Sequence, residues 1–433
     1  MGIPPDGTPQ RQEVVAQMAK KVHRTCPMAD AVDHHCPFAP LHPLPRLTAD
    51  LPGCGGRLRV ELEDFQVEEI PLYLPSGQGD HLYLWIEKVD VAAESLRRHV
   101  SRSLGVSNRD IGMAGLKDRR AITRQWLSVP RSAEDRISRI DTDRIRVLEV
   151  KAHRNKLRTG HLAGNRFVLR LRDVVPDAKA RAEAKIAVLQ ASGVPNFFGS
   201  QRMGHGGSTL AAGFALTLGA QQMTRVQTPD GTTHVLHLGD RSLRRLAASA
   251  LQGEVFNRTL AERLARGLFD RVLPGDVCQK PDTGGTFTTD DPAREQARLE
   301  RREVTITAPM WGPKMIRPTG EAAELEHAVL DSMGLTEAQF AVLGSLAEGT
   351  RRPIAIHPTE VTVVEEVDAN GVPALVLSFI LPAGSFATVF VHEMAGPIPG
   401  ESADDDLDDG PAADSQPDDA PDSSPSAETD TCD

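Results

Sequence analysis

Residues 114–126 have the sequence Ala-Gly-Leu-Lys-Asp-Arg-Arg-Ala-Ile-Thr-Arg-Gln-Trp, in which the single carboxylate is Asp118. Four cationic residues lie with it in eight consecutive positions: Lys117, Arg119, Arg120 and Arg124. The alternation that begins at Ile122 predicts a strand, so Asp118 is expected on a loop at the mouth of that strand. Basic neighbours favour the ionised form of a carboxylate. The stretch therefore predicts a nucleophilic or proton-abstracting carboxylate facing a polyanion, with an ordinary charged surface turn as the alternative.

The charge of the chain is unevenly distributed. Its 433 residues carry a formal net charge of -11, but residues 401–433 contain thirteen Asp or Glu and no Lys or Arg, which leaves +2 on the rest. Three stretches are rich in arginine: 97–124, 131–172 and 241–271. Local patches matter more than the total for binding a polyanion, so the acidic balance does not exclude a nucleic-acid partner.

The cysteine and hydropathy patterns argue against several other classes of protein. The five cysteines are odd in number and dispersed, which is not typical of a disulfide framework. The His and Cys residues between His23 and Cys36 lack the spacing of a zinc site, so we expect no metal. No apolar run approaches the ~18–20 residues that span a bilayer, and we find no signal-peptide pattern. We expect a cytoplasmic protein without a membrane partner.

The first half of the chain predicts a sheet with helices. Alternating apolar and polar residues predict strands at 57–70 with a break at 63–64, at 81–87, at 144–150 and at 166–172. Asp90 is expected to cap a helix that ends at Gly105, and a second helix is expected over 177–191. This mixture indicates the α+β class.

The pattern then changes and returns. Residues 200–350 are predicted to be mainly helical, and strands are predicted again at 353–356, 360–367, 374–381 and 386–392. Late strands need partners, so we expect one sheet domain that is interrupted by an insertion. The predicted segments are a disordered or peripheral extension (1–45), the first part of the sheet domain (46–190), the insertion (191–351), the second part (352–396) and an acidic disordered tail (397–433).

Five motifs follow one another along residues 46–394: Glu63–Glu69 (EDFQVEE), Ala114–Gln125, Gly164–Phe167 (GNRF), Asn196–Arg202 (NFFGSQR) and Leu381–Thr388 (LPAGSFAT). Together and in this order, they resemble the TruD family of tRNA pseudouridine synthases. The chain departs from the family pattern in two places. Arg59 stands where the resemblance leads us to expect Lys, and Val391-His392-Glu393-Met394 stands where an Arg-Glu pair is more usual. The resemblance implies a pseudouridine-synthase domain with a mixed or antiparallel sheet, interrupted by a mainly helical TRUD insertion domain.

The resemblance also implies a reaction and a site. It implies an isomerase that converts a uridine of tRNA, at position 13 in the bacterial members, to pseudouridine, with Asp118 as the catalytic aspartate. The uridine must leave its stack, so aromatic and polar residues are expected to bind it. The implied substrate-binding residues are Arg59, Phe65, Asn165, Phe167 and Phe386. The alternative for each ring is core packing. The isomerisation involves no redox change, so no cofactor or nucleotide is expected. The sequence leaves open whether Asp118 attacks the anomeric carbon or removes a sugar proton.

Basic side chains near the loop are expected to hold the phosphates of tRNA. The candidates are Lys117, Arg119, Arg124, Arg154, Lys156 and Arg158. Residues 196–202 are expected to form either a hinge between the domains or an RNA contact. Two other functions remain open at this point: a pseudouridine synthase for another RNA, and a non-catalytic RNA-binding or RNA-folding factor. A monomer is expected.

Overall fold

The structure is a computed structural model that describes residues 32–367 and 371–396. The first half of the described chain contains eight strands and two α-helices. The strands are β1 (Val32–His35), β2 (Gly55–Arg57), β3 (Phe65–Pro71), β4 (His81–Val89), β5 (Gly112–Met113), β6 (Ile122–Pro130), β7 (Ile145–His153) and β8 (Leu162–Val174). The helices are α1 (Ala93–Leu104) and α2 (Ala178–Ser192).

The later elements form the insertion and then return to the first sheet. The insertion contains β9 (Val194–Pro195), α3 (Ser208–Thr217), β10 (Met223–Gln227), β11 (Thr233–His237), α4 (Arg241–Ala265), β12 (Val277–Gln279), β13 (Thr286–Thr288), α5 (Pro292–Glu300), β14 (Thr305–Met310), α6 (Gly320–Ser332), α7 (Glu337–Leu343) and β15 (Thr350–Pro353). The returning elements are β16 (Ala355–Ile356), β17 (Thr359–Val367), β18 (Pro373–Pro382) and α8 (Ala387–Ala395).

The main sheet joins the two ends of the described chain. Its strand order is β17-β18-β8-β3-β6-β4-β7, and β2 pairs with β8 while β5 pairs with β6. The neighbours are antiparallel except for β3 and β6, which are parallel. The late strand β18 lies beside β8, so the late strands do complete the early sheet. The predicted α+β fold with a mixed sheet and an insertion is confirmed.

The alternation of β6 assigns its residues to the two faces of the sheet. Thr123 is fully buried and lies in register with Val67 of β3 and Lys88 of β4. Val67 in turn lies opposite Phe167 of β8, so these side chains share one face. Arg124 points to the opposite face. This face assignment determines which of the predicted residues can meet Asp118.

The insertion is joined to the sheet domain at its base by a short ladder. Here β9, at the start of the insertion, pairs with β16, which follows its end. The insertion is helix-rich, as expected, but it also contains a sheet with the order β13-β12-β14-β15 that the sequence did not predict. Strands of three to six residues give too few alternations to be recognised from the sequence. Two fully buried ion pairs stabilise this region, Arg351 with Glu326 (2.6 Å) and Arg263 with Asp276 (2.7 Å).

Two predicted elements are wrong. The strand expected at 386–392 is the helix α8, in which seven of nine residues are buried. A segment that is apolar on most sides gives no clear period, and its β-branched Val389 and Val391 favoured the strand interpretation. Asp90 does not cap α1, which has Ala92 at its N-cap position. Asp90 has a positive φ of 52° and pairs with Arg144 at 3.2 Å.

Part of the expected N-terminal extension is folded. Strand β1 adds in parallel to β10 of the insertion, and Phe38 packs edge-on against Phe214 at 5.7 Å between ring centroids. The buried thiol of Cys36 donates a hydrogen bond to the carbonyl of Phe38. Residues 1–31 and the acidic tail lie outside the described residues. Within the described part, no helix is both long and apolar enough to cross a membrane.

Candidate active site

Asp118 lies on the loop between β5 and β6, at the mouth of β6 as the sequence predicted. About a third of its side chain is exposed (35%), so a large ligand can reach the carboxylate. The residue is ionically paired: the NH2 group of Arg59 lies 3.1 Å from its Oδ2. The site therefore begins with an accessible carboxylate that has a cation beside it.

Arg59 links Asp118 to an aromatic ring. Its guanidinium carbon lies 4.1 Å above the centroid of Phe65, which is a cation–π contact. Its side chain is 14% exposed, and its φ is +59°, a left-handed conformation that is uncommon for a residue with a side chain. Such strained backbone is found preferentially at functional sites. Carboxylate, guanidinium and ring thus form one continuous group.

Two buried lysines, Lys88 and Lys117, connect the loop of Asp118 to the sheet. Lys88 of β4 donates to the carbonyl of Asp118 at 2.5 Å and reaches the carbonyl of Lys117 at 3.5 Å. Lys117 binds Glu69 of β3 at 2.7 Å, and both of these side chains are almost completely buried. Glu69 also accepts a hydrogen bond from the backbone N–H of Trp126 in β6. The loop is therefore anchored to β3, β4 and β6 together.

This arrangement suits a carboxylate that reacts with a bound substrate. The cation beside Asp118 favours its ionised form, and the ionised form is needed for either nucleophilic attack or proton abstraction. The anchored loop reduces the reorganisation that is needed at the moment of reaction.

Comparison with known proteins identifies the family of this chain. The family model for tRNA pseudouridine synthase D (TruD) matches residues 44–223 and 220–394. The tRNA pseudouridine synthase D of Anaeromyxobacter dehalogenans is 45% identical over 351 residues, which cover 81% of this chain and 96% of that protein. The protein of the same name from Thermus thermophilus is 42% identical, with coverage of 81% and 91%. The chain belongs to the TruD family of tRNA pseudouridine synthases.

The TruD assignment extends to the fold and the class of enzyme. The crystal structure of a TruD protein from Methanosarcina mazei is similar in fold, with a TM-score of 0.66 at 24% identity, and the match covers 81% of this chain and 96% of that one. Enzymes of this family are isomerases that convert uridine to pseudouridine. The predicted family and enzyme class are therefore confirmed.

Phe65 and Phe167, whose rings were expected to stack on a base, are buried in this TruD protein. Phe65 is 1% exposed and Phe167 is 6% exposed. Their rings meet edge to face at 6.3 Å, and Phe167 also stacks on Phe379 of β18 at 5.4 Å. Arg59 covers the ring of Phe65. The ring of Phe167 is enclosed by its neighbours in the sheet core, and its expected role of stacking on the base or lining its pocket stays a prediction.

Asn165 lies one row further along the same face of the sheet. It is in register with Glu69 of β3 and Leu381 of β18. Its Oδ1 atom is buried and has no hydrogen-bond partner among the described residues. Gly164 before it allows a close backbone approach, since a Cβ at that position would lie 2.3 Å from the carbonyl oxygen of Leu381. The glycine of this motif therefore serves the packing of β8 against β18.

Phe386 is half-buried at the boundary with the insertion. Its ring contacts that of Phe198 at 5.9 Å. Arg352 stacks on Phe198 at 4.1 Å and donates to the carbonyl of Gly384 at 3.0 Å, so it ties the loop before Phe386 to the insertion. Phe198 is buried, and Asn257 of α4 binds both its N–H and its carbonyl. These contacts favour the hinge alternative for residues 196–202.

Two of the expected phosphate contacts, Lys117 and Arg124, are paired with carboxylates of the protein, and their contact with RNA stays a prediction. Lys117 is buried against Glu69, so its charge is already compensated inside the sheet domain. Arg124 lies on the opposite face of β6 from Thr123 and pairs with Glu87 (2.9 Å) and Glu68 (3.6 Å). Lys117 is adjacent to Asp118 in sequence and Arg124 follows it by six residues, but Lys117 packs against β3 and Arg124 lies on the other face of β6.

The other basic candidates lie at the surface. Arg119 is 52% exposed and lies 3.5 Å from Asp90. Arg154 and Arg158 are exposed on the loop between β7 and β8, while Lys156 donates to the carbonyl of Arg109. This loop borders the loop of Asp118, because the N–H of Gly160 binds the carbonyl of Ala114 at 2.8 Å.

Sequence reasoning missed three residues of the site: Lys88, Glu69 and Arg352. One signal for Lys88 was present in the sequence. A lysine on the inward side of a strand as apolar as His-Leu-Tyr-Leu-Trp-Ile-Glu-Lys-Val requires a buried partner. Glu69 was part of a quoted motif without a role, and no local pattern indicated that Arg352 would join the two domains.

Proposed function

We propose that this chain isomerises the uridine at position 13 of tRNA, with Asp118 as the catalytic carboxylate and the target nucleotide turned out of its stack. One observation carries the proposal: an accessible carboxylate is paired with Arg59 on a loop that two buried lysines anchor. A base inside a stacked helix cannot be reached by such a surface carboxylate, so the nucleotide must be everted, at a cost of about a few kcal/mol.

The reaction rearranges one nucleotide without adding or removing atoms. The bond between C1′ of the ribose and N1 of uracil breaks, a bond from C1′ to C5 forms, the proton on C5 is released, and N1 takes up a proton. An ionised Asp118 serves either as the nucleophile at C1′ or as the base that removes the C2′ proton. Arg59 stabilises the charge on the carboxylate before and after the step.

The phosphates of the tRNA are assigned to the exposed basic residues beside the catalytic loop. Arg154 and Arg158 have exposed side chains and lie on a loop that is bonded to Ala114. Contacts of this type supply affinity without reading sequence, and they weaken as salt rises. Lys117 and Arg124 are not assigned this role.

The test is conversion of uridine in unmodified tRNA transcripts by the full chain, with pseudouridine mapped by position. Asp118→Asn should lower the rate by about 10³-fold or more, because the amide neither attacks nor accepts a proton, while tRNA affinity stays within about threefold. Asp90→Asn is the matched control. This carboxylate is also partly exposed and also pairs with arginines, so the control should retain the wild-type rate.

Two outcomes would refute the proposal in different ways. Wild-type protein that binds tRNA but leaves its pseudouridine content unchanged would support a non-catalytic RNA-binding role. Pseudouridine formed at another position or in another RNA would retain the chemistry and reject the substrate. An active Asp118→Asn protein would show that a different residue carries the reaction.

A further inference from the structure

Lys88 is a lysine whose position needs an explanation. It lies near the end of β4, in register with Thr123 of β6 and Ile145 of β7, and it is fully buried. An ammonium group that is removed from water costs several kcal/mol unless bonded groups compensate it. A methionine or leucine would fill the same space without that cost. The charge therefore has a use that is not packing.

The ammonium of Lys88 binds the backbone of the reacting residue itself. Its Nζ lies 2.5 Å from the carbonyl oxygen of Asp118 and 3.5 Å from that of Lys117. Strand β4 pairs with β6 at nine positions, from His81 with Pro130 to Val89 with Ile122. The pairing of β4 with β6 fixes the backbone of Lys88, and the ammonium at the end of its side chain binds the loop.

Lys88 and Arg59 both contact Asp118. Arg59 contacts its carboxylate, and Lys88 donates to its backbone carbonyl. The Lys117–Glu69 pair holds the preceding residue of the same loop. The carbonyl of Asp118 is bound by Lys88 of β4, and the side chain of Lys117 is bound by Glu69 of β3. The carboxylate of Asp118 contacts Arg59.

We propose that Lys88 is the positioning residue of the catalytic loop. It binds the carbonyls of residues 117 and 118 and so sets where the Asp118 carboxylate stands. This inference rests on the proposed role of Asp118. Without the ammonium, the carbonyls of residues 117 and 118 would lose this donor, and the loop would shift. A displacement of about 1 Å in a reacting group can lower a rate about 10²-fold.

The chain offers a matched control in Lys185. It is the other lysine among the largest fully buried side chains of the described residues. Its ammonium binds the carbonyl (3.1 Å) and the Oγ1 (2.9 Å) of Thr48, so it makes bonds of the same type to another segment. Lys88→Met and Lys185→Met each remove one buried ammonium and keep a side chain of similar length. They should lose comparable stability, and only the first should disturb the catalytic loop.

The experiment compares wild type, Lys88→Met and Lys185→Met as full chains. The measurements are kcat and KM for pseudouridine formation in tRNA, the urea midpoint of unfolding, and amide hydrogen exchange over residues 114–121. We expect Lys88→Met to lower kcat by about 10²-fold with KM unchanged within about threefold, and to speed exchange in 114–121. We expect Lys185→Met to keep kcat and the exchange of that loop at wild-type values, even where its unfolding midpoint falls equally.

The outcomes separate this inference from the proposed function. Wild-type protein without activity would reject the function. Active wild type with a Lys88→Met protein whose kcat equals that of Lys185→Met would overturn only the positioning role. If Lys88→Met does not fold, Lys88→Arg decides, because the larger planar guanidinium cannot take the place of the ammonium. Lys88→Arg should lower kcat about tenfold and speed exchange in 114–121; wild-type values of both would overturn the proposal.

Discussion

Two regions of this molecule use the same chemical pair, a guanidinium and a carboxylate, in opposite ways. In the insertion, Arg351 and Glu326 are each 1% exposed, and the guanidinium makes two bonds to the two carboxylate oxygens, at 2.6 and 2.9 Å. At the loop of Asp118, Arg59 and Asp118 lie at 3.1 Å with the carboxylate 35% exposed. The insertion pair has no room for a ligand, whereas the loop pair leaves a carboxylate accessible.

The surroundings of the two pairs explain the difference. Burial raises the pKa of Glu326, and the neighbouring Arg351 opposes that shift. Each buried charge of the insertion pair is therefore compensated by the other. At the loop, Lys88 donates to the backbone carbonyl of Asp118, and the carboxylate beside Arg59 is 35% exposed. We call a pair closed when both side chains are buried, as in Arg351–Glu326, and open when its carboxylate is accessible, as in Arg59–Asp118. A closed pair has a structural role only, whereas an open pair can contact a substrate.

The largest effect is expected from opening the closed pair. Arg351→Met leaves Glu326 buried without its cation and should lower the free energy of unfolding by about 3–5 kcal/mol, measured by urea denaturation. Arg266→Met removes an exposed arginine that pairs with Glu262 on the same insertion, and it should change stability by less than about 1 kcal/mol. Equal losses in the two variants would contradict the distinction between closed and open pairs.

A smaller effect, on rate rather than stability, is expected at the loop. Arg59→Met should lower the rate of pseudouridine formation by about 10²-fold, because the charge on Asp118 loses its cation. The free energy of unfolding should change by less than about 1 kcal/mol. The control is Arg57→Met. Arg57 lies two residues before Arg59, is more exposed than Arg59 and pairs with Asp173, so this variant should keep the wild-type rate. A stability loss like that of Arg351→Met would place Arg59 among the structural pairs.

The smallest effect is expected in the core beneath the site. Phe167→Leu should lower the free energy of unfolding by about 1 kcal/mol, since the ring is packed between Phe65 and Phe379. The conversion rate of the folded protein should stay within about threefold of wild type. Phe256→Leu, in the insertion, is the core control. A rate loss of about 30-fold with unchanged stability would return Phe167 to direct contact with the base.

The sequence carried most of the information about the fold. Regular alternation located the early strands and the late strands at 359–367 and 373–382, and their need for partners led to the interrupted sheet. Short strands such as Val277–Gln279 and the parallel addition of Val32–His35 depend on distant partners, and no local pattern encodes them. The helix Ala387–Ala395 was wrongly predicted as a strand, because burial on most of its sides removes the helical period of apolar residues.

For the candidate site, the sequence indicated the position of Asp118 better than the positions of its basic neighbours. Asp118 and Arg59 lie together as expected, although 59 residues separate them. Lys117 and Arg124 were expected to contact phosphates because they are close to Asp118 in sequence. In the structure, Lys117 points into the sheet and Arg124 lies on its other face. Proximity along a chain does not determine on which side of a strand a charge lies. For Arg124, the alternation of the strand does carry that information.

The position of β18 has a consequence for the synthesis of the protein. One side of β8 is paired early, by β3 and β2, but its other side waits for β18, which is encoded roughly 200 residues later. At about 5–20 residues per second, that edge stays open for about 10–40 s while the insertion emerges from the ribosome. An unpaired edge in a nascent chain can recruit the wrong strand. Prompt folding of the insertion on its β9–β16 base would bring the missing strand to its place soon after it is translated.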